Sequence, residues 1–281
     1  MAITAAQVKE LRDMTGAGMM ECKKALTEAE GDMDKAVDLL REWGVAKVAK
    51  KAGRATNEGT VMALVADDAT SGVVLELNCE TDFVGMNEKF KGYAEAIAKV
   101  ALDKKIADIE ALKADEEVAA QIADCVHVMG ENTKLARVAY VEADGIVSYI
   151  HMGGKIGVLA QFALEGIDPT ADAFVTYGRD VAMQVAAMSP VSANRDAVPA
   201  DVVEREMAIY KAQAADSGKP ENIQEKIATG RMEKFYAENC LTEQAFVKDG
   251  DMTVQQYTDK VAKELGGSIK VADFVRFALG E

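Results

Sequence analysis

The sequence predicts an α+β fold with a three-helix N-terminal bundle, an α+β middle that opens on a hairpin of strands, and an inserted antiparallel helical hairpin. Three observations carry this. Apolar residues recur at helical spacing through the first 54 residues. Short aliphatic and β-branched runs separated by glycine-rich turns follow, at 60–66, 72–79, 134–143, 145–152 and 156–164. Two further helical patterns are joined only by Ser217-Gly218-Lys219-Pro220, too short a link for anything but antiparallel neighbours. At 281 residues and 49% hydrophobic, the chain can build two or three packed units.

The elements follow in order. Thr4 is placed to cap a first helix carrying Val8 and Leu11, which Gly16 and Gly18 end. A second helix, Met19 to Ala29, places Met19, Cys22, Ala25, Leu26 and Ala29 on one face and stops at Gly31. Asp32 caps a third, with Met33, Ala36, Val37, Leu40 and Trp43 as its stripe. Met19 and Met20, adjacent on a helix, point about 100° apart, so both cannot be core. The pattern leaves two arrangements open: one of them exposed as an adaptable contact, or both partly buried. A hairpin at 60–66 and 72–79 turns through Asp67 to Gly72, and helices follow at 86–103 and 115–125. The strands at 145–152 and 156–164 flank His151-Met152-Gly153-Gly154-Lys155. In the insertion, Asp201 to Ala215 carries Val203, Met207, Tyr210 and Ala214 on one face; Glu221 to Tyr236 carries Ile223 and Ile227, with Met232 and Phe235 less regularly placed. Met252 to Leu265 reads as a helix. Ser268 to Leu279 reads as a late strand that must reach back across the insertion to find a sheet.

Composition narrows the class. No apolar run approaches the roughly 20 residues that span a bilayer, and the N-terminus lacks a signal-peptide core. Cys22, Cys79, Cys125 and Cys240 are scattered without a CxxC pair, which fits a reducing cytoplasm better than zinc or disulfides. A net charge of −15 opposes non-specific attraction to nucleic acid. The one basic stretch, Lys47, Lys50, Lys51 and Arg54, reads as a solvated helix end or linker. No phosphate loop, GxSxG, HExxH or EF-hand pattern is present, and Gly153-Gly154-Lys155 is followed by Ile156. His127 and His151 sit in no recognisable nucleophile arrangement. The expected partner is a protein, with no direct nucleic-acid contact, no membrane and no cofactor.

Thr81-Asp82-Phe83-Val84 stands where the strand ending near Cys79 gives way to a helix, offering a carboxylate and a phenyl ring side by side. Geometry alone favours Asp82 as an N-cap and Phe83 as a staple into the local core. The longer string Asn78 to Val84, NCETDFV, overrides that reading when it is taken with five others. These are TGAGMMECKKAL (Thr15 to Leu26), AKKAGR (Ala49 to Arg54), HMGGKIGVL (His151 to Leu159), SGKP (Ser217 to Pro220) and FVRFALGE (Phe274 to Glu281). In this order, and spread over nearly the whole chain, they resemble the bacterial elongation factor Ts family, the nucleotide exchange factors of elongation factor Tu.

The resemblance implies a ubiquitin-associated-like bundle with a basic linker at 1–54 and a two-part α+β core with antiparallel sheets, whose first half lies at 55–143. It implies a second half at 144–200 and 237–281, with the hairpin inserted at 201–236. It implies a non-enzymatic factor that binds elongation factor Tu, GDP-bound or nucleotide-free, and leaves a homodimer or a 2:2 complex open. Thr81, Asp82, Phe83 and Val84 fall on the segment associated with magnesium displacement in the partner. Lys9, Met19, Met20 and Lys23 fall on the contact to its nucleotide domain, and His151, Met152, Gly153 and Gly154 on a second approach. Departures exist: Gly85-Met86 stand where the family often has Ala-Arg, so the local helix is expected to begin later, and Lys155 stands where Arg is common. Two other classes stay in view. One is an adaptor that binds through the bundle, indifferent to nucleotide. The other is an enzyme using Asp82 and His151 in a shared cleft.

Overall fold

The computed structural model describes residues 3–216 and 218–281, with the side chains of 45–50 excepted. Three helices open the chain: α1 (Ala5–Thr15), α2 (Met19–Glu28) and α3 (Met33–Lys51). Thr4 and Gln7 form a reciprocal capping box on α1, and Gly16 closes it in the left-handed region. Val8, Leu11, Cys22, Ala25, Leu26, Ala36 and Leu40 make the bundle's own core. Met19, expected on the buried face, is 59% exposed, and Met20 is 75% exposed. Neither of the two arrangements left open was right: both residues lie in the first turn of α2, which begins at Met19, and both are exposed. Helix α3 outruns its stripe and takes in Lys47, Lys50 and Lys51; the side chains of Lys47 and Lys50 lie outside the described residues.

The core follows as β1 (Glu58–Val65), β2 (Ser71–Cys79), α4 (Asp82–Gly85), α5 (Glu88–Asp103), α6 (Ile109–Ala114), α7 (Glu116–Met129) and β3 (Lys134–Glu142). It continues as β4 (Gly145–His151), β5 (Ile156–Glu165), α8 (Asp172–Met188), α9 (Ala200–Ala215), α10 (Glu221–Asn239), β6 (Ala245–Phe246) and β7 (Asp249–Thr253). Helix α11 (Val254–Leu265) and strand β8 (Ser268–Ala278) finish it. The first sheet runs β1-β2-β3 and the second β4-β5-β8, every pair antiparallel. Strand β8 does reach back, pairing with β5 from Ser268 opposite Glu165 to Ala278 opposite Ile156.

The two sheets face each other through Val61, Ala63, Val74, Ile146 and Leu159. Helices α5, α6 and α7 cover the outer side of the first sheet, and α8 and α11 that of the second. Strand β2 is therefore buried on both sides. Val73, Leu75, Leu77 and Cys79 turn toward the helices, and Val74 toward the other sheet. Glu76 shares that inner layer at 3% exposure, and its charge is matched. Arg137 donates to its carboxylate at 2.7 Å, Asn78 at 2.9 Å and the Gly280 backbone at 3.2 Å. Arg137 also donates to the Ala278 carbonyl, so this half-buried pair fastens the chain's last residues to the first sheet.

Several boundaries differ from expectation. Met252 belongs to β7, and α11 begins at Val254 because Thr253 and Gln256 form a capping box there. Helix α8 carries no prior assignment: Phe174, Tyr177, Gly178, Val181, Ala182, Gln184 and Val185 are buried, which blurs any one-sided stripe. In the hairpin α10 runs on to Asn239, and its seam is Ala228 and Met232, while Ile223 is exposed. The hairpin springs from a narrow base. Val191 donates to the Asn239 carbonyl at 2.8 Å and Leu241 to that of Ser192 at 2.9 Å.

Candidate functional site

Strand β1 carries two of the three surface groups singled out in the sequence. The first is α4. Thr81 is its N-cap, with the side chain accepting from the Val84 amide, and Asp82 is one position further in, so the expected Asp82 cap is corrected. The Asp82 carboxylate instead accepts the Phe83 amide at 2.9 Å. Thr81 wins the cap because its hydroxyl is oriented from behind. It donates to Glu131 Oε1 at 2.7 Å, which turns a lone pair toward Val84. The other Glu131 oxygen accepts the Glu80 and Thr81 amides at 3.1 and 3.0 Å.

Held this way, Phe83 points outward and is 84% exposed, so the staple reading is corrected as well. Val84 instead packs on the first core half. Gly85 is buried on β1. A Cβ there would lie 2.8 Å from the Gly59 carbonyl oxygen, so the glycine permits a close approach of α4 to the strand. The longer helix α5 begins at Glu88, with Asn87 capping it.

The second group is the turn from β4 to β5. Met152, Gly153 and Gly154 all take positive φ, at 50°, 66° and 109°. The Gly154 carbonyl accepts the Val61 amide at 2.7 Å, and a Cβ on Gly154 would collide with the Thr60 hydroxyl. Lys155 pairs with Glu58 at 2.9 Å. The turn is thus seated on β1 beside α4, and it lifts Met152 into solvent at 72% exposure. His151 stacks on Tyr149, with the Tyr149 hydroxyl 3.0 Å from Nδ1.

The third group stands apart. Lys9 and Lys23 are exposed on the bundle with Met19 and Met20. The bundle leans on α7, where Glu21 lies 3.5 Å from His127. A cavity of about 490 Å³ lies along that seam, between residues such as Met14, Leu40, Arg41, Asp124 and His127. Neither Asp82 nor His151 lines it.

Sequence reasoning missed the parts that hold α4. Glu131 follows Gly130, the left-handed cap of α7, and reaches a turn 50 residues earlier in the chain. The adjacent Asn132 amide donates to Glu80 at 2.6 Å, and the Asn132 side chain donates to the Arg54 carbonyl at 2.8 Å. The Asn132 amide bond, with the Arg54 guanidinium beside it, holds the Glu80 carboxyl below the usual carboxylate range. Lys51 donates to the Gly130 carbonyl. Two members of the basic stretch are therefore tied to this chain itself. An acid after a helix-capping glycine is too common a pattern to have revealed such a contact.

What α4 and the β4–β5 turn offer is apolar side chains on rigid turns beside a carboxylate, the equipment of a protein that acts by contact with another macromolecule. Residues 80–281 match the family described as "Elongation factor TS". Elongation factor Ts of Trichlorobacter lovleyi is 49% identical over 291 residues, covering 100% of this chain and 94% of the relative. Elongation factor Ts of Clostridium botulinum strain Eklund 17B is 46% identical over 286 residues, covering 99% and 93%. The chain belongs to the elongation factor Ts family, which makes it a translation elongation factor of the nucleotide-exchange class.

Proposed function

We propose that this protein binds elongation factor Tu and accelerates GDP release by displacing the partner's magnesium and shifting the helices of its nucleotide site. The observation that carries the reading is the outward-facing Phe83 on a capped, bonded turn, with the Asp82 carboxylate beside it. Exchange requires no bond to be made or broken. It requires a protein that prefers the nucleotide-free partner, and by linkage each ligand then weakens the other by the same factor. Magnesium demands near-ideal octahedral oxygen geometry, so an inserted phenyl ring and a competing anion can both degrade its site. Met152 and the His151–Gly154 turn would form a second contact from the same strand. Lys9, Met19, Met20 and Lys23 would form a third on the bundle, with the bundle, core halves and hairpin as separate units in a cytoplasmic factor.

Release of a fluorescent GDP from elongation factor Tu, followed with increasing amounts of this protein, is the direct test. The expected outcome is saturable acceleration without nucleotide binding to the chain alone. Unchanged release at saturation would overturn the proposal, and binding that is indifferent to nucleotide would favour an adaptor.

A further inference from the structure

The geometry points to Glu131 as a positioning residue for exchange, its carboxylate holding the Thr81 turn so that Asp82 and Phe83 are presented in one orientation. This rests on the exchange reading above and adds a residue outside the surface that meets the partner. The carboxylate accepts three hydrogen bonds from two consecutive residues, at 3.1, 3.0 and 2.7 Å. A carboxylate that takes two backbone N–H groups and a hydroxyl fixes both the path of the chain and the rotamer of Thr81. That rotamer in turn caps α4 at the Val84 amide.

The carrier of Glu131 is itself rigid. Gly130 ends α7 in the left-handed region, Asn132 and Thr133 are buried, and β3 begins at Lys134. The neighbouring bonds from Asn132 to Glu80 and to Arg54 make the loop a common anchor for the α4 turn and for the segment leaving α3. A helix of four residues cannot hold its own shape, because nucleation costs more than one turn returns. Its orientation must come from outside, and Glu131 is where it comes from.

Glu131→Ala is expected to lower the rate of GDP release from elongation factor Tu about tenfold, the scale of losing hydrogen bonds to a charged group. Glu131→Gln should recover most of that loss, since its amide oxygen can accept the two N–H groups and its amide nitrogen can donate to Thr81 Oγ1. In a Phe83→Ala background Glu131→Ala should cost clearly less than in the unmodified protein, because only Asp82 is then left to position. A merely structural residue would instead lower the folded fraction and leave the double-mutant losses additive. Hydrogen exchange at the Thr81 and Val84 amides reads the latch without any partner. Protection should fall in Glu131→Ala and persist in Phe83→Ala.

Should Glu131→Ala fail to fold, Thr81→Val keeps the shape, removes the hydroxyl bridge and should show a smaller loss of the same kind. Normal release per folded molecule in Glu131→Ala, or in Thr81→Val where the first does not fold, overturns the proposal. So does the same fold-loss with and without Phe83. If the unmodified protein fails to accelerate release, the exchange reading fails instead, and the amide protection still reports on the latch.

Discussion

Phe83→Ala separates a contact residue from a packing residue, and the structure sets the size of both effects. An aromatic side chain offers about 200 Å². With 84% of Phe83 exposed, truncation removes roughly 30 Å² of buried surface, or at most about 0.8 kcal/mol at about 25 cal/mol per Å². For a chain of this size that is a fall in Tm of about 2 °C. Phe90, fully buried on α5, is the matched control, and its truncation should cost about 3–5 kcal/mol. The opposite order is expected in function. If Phe83 enters the partner, it can desolvate about 170 Å², an upper limit near 4 kcal/mol, and buried aromatic anchors commonly contribute about 2 kcal/mol or more. GDP-release efficiency should therefore drop about 30- to 1,000-fold for Phe83→Ala. Phe90→Ala should lose activity only in proportion to its unfolded fraction. Calorimetric melts and stopped-flow release on the two variants are sufficient. A large Tm loss for Phe83→Ala, with normal release per folded molecule, would refute the reasoning and return Phe83 to the core.

Asp82→Ala should slow GDP release less than Phe83→Ala does, and chelating magnesium should shrink its effect, since no metal site is then left to disturb. Gly154→Ala places a β-carbon 2.1 Å from Thr60 Oγ1 at a φ of 109°, so it should cost more than about 1 kcal/mol in chemical denaturation. Adding Thr60→Ala should return the steric share of that cost and leave the backbone share. Burial pushes the Cys79 and Cys125 thiols up to about 12, and those of Cys22 and Cys240 up as well. A maleimide at pH 8 should therefore leave the native protein unlabelled by mass spectrometry and modify all four cysteines once urea unfolds it. Replacing 201–236 with a short flexible link should preserve a single cooperative melt, because the hairpin's base is closed by the 2.8 and 2.9 Å bonds between 191–192 and 239–241. A broad or absent transition would show that the hairpin belongs to the core.

Most of the scaffold was legible because its signals are local. The β1–β2 hairpin announces itself by two aliphatic runs and a turn from Asp67 to Gly72, and β4 and β5 by the glycines between them. Helix α8 was not legible, for a physical reason. It packs on the second sheet beside α11 and is buried around much of its circumference, with Gly178 packed on Val147 and Phe162. Even its buried Gln184 is silent in sequence, since its partners are Gln244, the Ala245 carbonyl and the Val247 amide some 60 residues away. The α10 seam was read only in part: Ala228 and Met232 are buried in it, Ile227 is half-buried and Ile223 is exposed. At the candidate site the string containing Asp82 and Phe83 was visible, but the direction of the phenyl ring depends on which residue caps α4. That is settled by Glu131, a long-range contact that no local pattern encodes.

The same dependence explains why the surface can be both apolar and precise. An exposed phenyl ring gains nothing in the free protein, so its orientation has to be enforced by bonds made elsewhere. Here the enforcement is polar from behind and steric from below: three hydrogen bonds to Glu131, and Gly85 set against Gly59. The His151–Gly154 turn rests on the next residues of the same strand, Thr60 and Val61. The turns that carry Phe83 and Met152 are therefore both seated on β1. Ordering a mobile side chain at an interface costs about 0.5–1.5 kcal/mol each. A factor that must bind the nucleotide-free partner and then give way to incoming nucleotide needs contacts whose free energy goes into the conformational difference between those two states. Spending it on ordering its own turns would leave less coupling to drive exchange. On the proposed reading, β1 is thus as much a part of the exchange apparatus as the two side chains it displays.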